Sequence, residues 1–126
     1  MKTMLTFNCL QAEKDANKDL ERNARLEYPM DLFIKEVKRI NNTSAVVSFT
    51  LSSSTNPEVA TFSISGELLI EGSDDEISSA IAPSGREPPS VWKSIYHESV
   101  NIMMVLAKVI EVPFPTPNIG GLVVDN

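Results

Sequence analysis

The chain has 126 residues, is 42% hydrophobic and 22% charged, and carries a net charge of −6 with an isoelectric point near 4.7. That length and composition fit one globular domain with a core large enough to need no covalent staples. The single cysteine, Cys9, excludes an internal disulfide and a multi-cysteine zinc site. The acidic balance disfavours nucleic acid and anionic lipid as partners, because phosphate would be repelled over most of the surface.

At the start, Met4 to Leu10 alternates, with Leu5, Phe7 and Cys9 on one side and Thr6 and Asn8 on the other, so a half-buried strand is expected. On this reading Cys9 is a small buried hydrophobe rather than a nucleophile. The apolar part of this stretch is too short and too polar for an export signal, and no small-residue cleavage site follows. The longest apolar stretch, 100–112, is broken by Asn101, Lys108 and Glu111 and falls short of the ~20 residues a membrane span requires. A soluble, cytoplasmic protein is expected.

Residues 11–27 are rich in charge and offer only Leu20 and Leu26 as sizeable apolar groups. Their helix-favouring composition and thin apolar stripe suit either a short helix or a mobile connection. Beyond Pro29, the run 32–40 places Phe33 and Val37 on one face and Leu32, Ile34 and Ile40 on the other, as a strand at or near an edge. Asn41-Asn42-Thr43 reads as a tight turn. Residues 44–51 alternate clearly, 52–57 form a polar connection, and 59–71 form the longest alternating run, with Gly66 at its middle marking a bulge or a close approach. These strands form an antiparallel meander, with the first strand paired to it.

The pattern then changes. Ser73-Asp74-Asp75-Glu76 is a capping box that opens a short helix to about Ala82. A long helix is expected from about Ser90 to Ile110, with Trp92, Ile95, Tyr96, Met103, Leu106, Ala107 and Ile110 on its buried face. Ile102, Val105 and Val109 widen the apolar stripe, so its second half should be covered on more than one side. The prolines of 112–117 hold the rest of the chain, to residue 126, as an extended tail. The fold class is therefore α+β: a four-stranded antiparallel sheet followed by a short and a long helix in a single domain.

Catalytic constellations are thin. His97-Glu98 is the only histidine motif, and Asn101 stands where a metalloprotease helix needs its second histidine. There is no nucleophile elbow and no phosphate-binding glycine loop. Asp74, Asp75 and Glu76 are explained by capping. No enzyme, no metal and no cofactor are expected. His97, Glu98 and Tyr96 remain the only candidates for a cleft chemistry. The apolar set Leu32, Ile34, Val46 and Leu69 instead suggests that the sheet face away from the helices is not purely polar and meets another subunit, the N-terminal segment or a client chain.

Three stretches in this order are familiar. Ala60-Thr61-Phe62-Ser63-Ile64-Ser65-Gly66 resembles the F-x-I-x-G strand of the SecB protein-export chaperone family. Pro89 to Glu98 is similar to that family's long-helix start, and Val112-Pro113-Phe114-Pro115-Thr116-Pro117-Asn118-Ile119 to its extended segment after the helix. The resemblance spans roughly residues 32–122; the charged stretch 11–27 has no counterpart in it. It implies a holdase that keeps non-native or partner polypeptides soluble through apolar surface, assembled as a dimer or tetramer. The polypeptide-binding residues it and the apolar pattern suggest are Leu32, Ile34, Val46, Leu69, Trp92 and Phe114. The tail to residue 126 carries no Cys or His of the kind by which some members engage the export motor, and the chain resembles members linked to toxin–antitoxin systems, or with no known role, equally well. A structural or regulatory interaction protein with the same fold is the alternative.

Overall fold

The structure, a computed structural model, describes residues 1–15, 26–83 and 85–113. Its elements are β1 (Lys2–Lys14), β2 (Met30–Asn41), β3 (Ser44–Ser54), β4 (Ala60–Glu71), α1 (Asp74–Ile81) and α2 (Ser90–Val109). The four strands form one antiparallel sheet in the order β1-β4-β3-β2, so the meander is intact and β1 closes onto β4. This is the α+β architecture expected from the sequence.

The alternation of β3 and β4 divides the sheet into two unlike faces. Ala45, Val47, Phe49 and Leu51 of β3 and Phe62, Ile64, Leu68 and Ile70 of β4 are buried against the helices. From the helix side Ile77 and Ala80 of α1 and Val91, Ile95, Val100, Met103 and Ala107 of α2 pack into the core. The strand period of two and the helix spacing of four thus converge on one layer.

The short connections follow local chemistry. The β2–β3 hairpin closes at Asn41 and Ser44, where the Asn41 side-chain oxygen accepts from Thr43 N at 2.8 Å, Thr43 Oγ1 at 2.9 Å and Ser44 Oγ at 3.0 Å. Between β3 and β4, the buried Thr55 hydroxyl accepts from Val59 N at 2.9 Å and Ala60 N at 3.1 Å and donates to Pro57 O at 2.9 Å. One side chain therefore satisfies a turn that the backbone alone would leave open. At α1 both halves of the capping box form: Glu76 N donates to Ser73 Oγ at 3.2 Å and Ser73 N to Glu76 Oε1 at 3.0 Å.

Several expectations are corrected. β1 runs on to Lys14, so residues 11–14 are strand rather than part of a helix or mobile connection; each has a backbone partner in β4. Residues 16–25 of that stretch lie outside the described residues. Leu26 and Tyr28 are buried, and Glu27 pairs with Asn56 as an isolated bridge. Tyr28 packs its ring on Phe62 at 5.8 Å and donates its hydroxyl to the carbonyl of Pro113, tying this segment to the end of α2.

A bulge in β1 between Phe7 and Cys9 inserts Asn8, and the alternation changes phase there. Leu5 and Phe7 face the helices, but Cys9 pairs with Ser65 on the other face and is exposed, not buried. A second bulge between Ile34 and Glu36 does the same in β2. Phe33 pairs with Thr50 on the open face, whereas Val37 pairs with Val47 on the helix side, so the two do not share a face. Gly66 is the close approach expected of it. A Cβ there would collide with the carbonyl oxygen of Thr6 and stand 3.0 Å from Phe7 Cα and 3.1 Å from Phe49 Cζ. Its bareness lets β1 close on the sheet beneath the edge-to-face Phe7–Phe49 pair, whose centroids are 6.1 Å apart.

Candidate functional site

The expected polypeptide-binding residues fall in different places. Val46 and Leu69 are direct cross-strand partners on the face that no described helix covers, and Met4 of β1 lies beside Leu69 in the same row. Met4 is 62% exposed, Val46 and Leu69 are half-buried, and Lys38 of β2 ends the row beside Val46. Leu32 and Ile34 do not join this row. They pair with Leu51 and Phe49 on the helix-covered face and pack against the core. The sequence grouping fails because an apolar pair on an edge strand fits either face, and only the register with β3 decides which. Trp92 is half-buried in the first turns of α2, against the cluster around Phe49 and Ile95. Phe114 lies outside the described residues.

The rest of the open face is mostly hydroxyl and carboxylate. Ser48, Thr50, Ser63, Ser65 and Glu67 fill its centre, and Thr50 and Ser65 hydrogen-bond across the strands at 2.9 Å. Phe33, at 59% exposure, stands on this face next to Thr50, and the exposed Cys9 lies next to Ser65. The face is thus a polar platform interrupted by one apolar row and one aromatic ring. A shallow recess of about 400 Å³ beside it is lined by residues 10–13 of β1 and 61–63 of β4.

The helix layer has its own surplus. The buried residues of α2 are Val91, Ile95, Ser99, Val100, Met103 and Ala107, with Tyr96, Leu106 and Ile110 half-buried at their margins. Sequence periodicity missed Ser99, because a polar residue does not score on an apolar face. Ser99 Oγ has no hydrogen-bond partner among the described residues. Beyond this stripe, Val105 and Val109 are open to solvent.

Of the remaining candidates, the Tyr96 and His97 rings meet edge-to-face with centroids 6.4 Å apart. His97 and Glu98 are exposed on α2, and Tyr96 is turned into the core margin, where burial raises its hydroxyl pKa. Burial likewise pushes the Tyr28 hydroxyl up to about 12. Among the described residues no group of three metal-binding side chains converges, and no helix is long and apolar enough to cross a membrane. No protein-family model, curated protein or solved structure matches the chain.

Proposed function

We propose that this protein is a SecB-like holdase, a non-enzymatic cytoplasmic module that keeps non-native or partner polypeptides from aggregating through apolar surface on its open sheet face. The observation that carries the reading is the row Met4–Leu69–Val46 on a face left uncovered by the described helices, with Phe33 exposed on the same face. Met4 and Phe33 are open to solvent on this face, and a surface for chains that expose their own apolar side chains needs such groups. The acidic character supports the reading from the other side, because a charge of −6 keeps a complex with a sticky client soluble. The expected homo-oligomer, a dimer or tetramer, belongs to the same proposal.

A second reading has its own support. The hydroxyl-rich centre of the open face, with Thr50 and Ser65 bonded to each other, offers directional groups that suit one specific partner better than many unfolded ones. A structural or regulatory interaction protein would use the same face with one partner only.

Light scattering from a thermally unfolding client separates the two. Stoichiometric suppression of aggregation for several unrelated clients is the holdase outcome. Absence of protection for all of them, with one specific protein captured, is the outcome of the second reading.

A further inference from the structure

Three stretches far apart in the chain meet at one end of the core. Leu26 and Tyr28 are buried in the same cluster as Phe62, Met103, Ala107 and Val112. An isolated bridge fixes their backbone, with Glu27 N donating to Asn56 O at 3.0 Å and Asn56 N to Glu27 O at 2.9 Å. The third stretch is the end of α2, where Ile110 N donates to Leu106 O at 3.1 Å, Glu111 N to Lys108 O at 3.2 Å and Val112 N to Ala107 O at 2.8 Å. The Tyr28 hydroxyl, bonded to the Pro113 carbonyl, joins the first stretch to the last.

That end of α2 is built against two local preferences. Glu111 has φ 58, the left-handed region in which helices ordinarily end on glycine, and it sets a negative charge at the carbonyl end of the helix dipole. The closed arrangement is therefore strained at Glu111, and three contacts offset the strain: the seat of Val112 in the core, the Tyr28 hydroxyl on Pro113, and Lys14 Nζ, which donates to the Glu111 carbonyl at 3.4 Å. We propose that Tyr28 is the clasp of a strap. Residues 26–28, their bridge to Asn56 and the end of α2 from Ile110 to Pro113 open and close as one unit, at a lower cost than unfolding the sheet. When the hydroxyl lets go, the strain at Glu111 is relieved, the last turn of α2 loosens, and Leu26, Tyr28 and Val112 withdraw from Phe62, Met103 and Ala107. The clasp is the hydrogen bond rather than the ring, which packs on Phe62 independently of it. This device is defined by contacts within one chain and stands whether or not the protein holds clients.

Amide hydrogen exchange on the full chain tests it. Tyr28→Phe removes the hydroxyl and keeps the ring. It is expected to speed exchange about fivefold at Ile110, Glu111 and Val112 and by the same factor at Glu27 and Asn56, with amides in the middle of β3 and β4 unchanged. Glu111→Gly removes the left-handed strain and the misplaced charge, and is expected to slow exchange about threefold at the same five amides. Faster exchange confined to the end of α2 in Tyr28→Phe makes the two sides independent and overturns the inference. So does an equal acceleration in the middle of β3 and β4, which reports a loss of global stability instead of a local opening. A Glu111→Gly variant that leaves Glu27 and Asn56 at the wild-type rate overturns it as well.

Discussion

Gly66 and Asn8 together set how β1 meets the sheet. The carbonyl of Thr6 occupies the space a Cβ at position 66 would need, and backbone cannot swing aside as a flexible side chain can. Gly66→Ala is expected to cost at least about 3 kcal/mol, at or above the usual range for overpacking, and to loosen β1 first; amide exchange along β1 would register that before global unfolding. Thr55 is a second single-residue dependency. Removing its hydroxyl leaves the buried amides of Val59 and Ala60 without that acceptor, so Thr55→Ala should lower stability by about 2 to 4 kcal/mol in urea titration, a large share of what a domain this size has. Ser99 points the other way. Its hydroxyl is buried without a partner among the described residues, and Ser99→Ala should leave the urea midpoint unchanged or raise it, by up to about 1 kcal/mol. Gly66 was legible in the sequence as a glycine inside a strongly alternating run. Ser99 was not, because nothing local distinguishes a buried serine from a solvated one.

Among the elements, the strands and helices with strong periodicity were legible in type and order, and their limits shifted only modestly. Phase within the edge strands was not. Cys9 read as buried because alternation was carried unbroken through Asn8, and Phe33 and Val37 read as neighbours because it was carried through Lys35. One inserted residue inverts every later side chain, and a single strand read alone has no marker for it. Capping is the opposite case, being encoded within four consecutive residues. Glu76 has its carboxyl pKa held low, first by the hydrogen bond with the Ser73 backbone and next by the nearby Met1 amino group, 3.1 Å away. Because the folded value is the lower one, this contribution is present above the ordinary carboxylate pKa and is lost as the pH falls through the depressed one. Glu76→Gln should therefore lower the urea midpoint at neutral pH, with the difference from wild type shrinking in acid. Ser73→Ala should cost about 1 kcal/mol in the same assay.

Taken as a whole, the molecule has one well-filled interface between sheet and helices and an open sheet face of mixed character. The interface was readable because both of its sides are periodic. The candidate site was only half readable: Val46 and Leu69 meet on the open face, while Leu32 and Ile34, of the same chemistry, are packed beneath the helices. The difference lies in long-range register, which residue type does not carry. What the site does depends on whether the row through Val46 and Leu69 binds other chains. The most direct measurement is the aggregation of an unfolding client, followed by light scattering, with wild type and with a Val46→Lys, Leu69→Lys variant at equal concentration. Wild type is expected to suppress scattering near one-to-one stoichiometry and the folded variant to lose most of that protection; equal protection by both proteins, or none by wild type, would contradict client binding by this row.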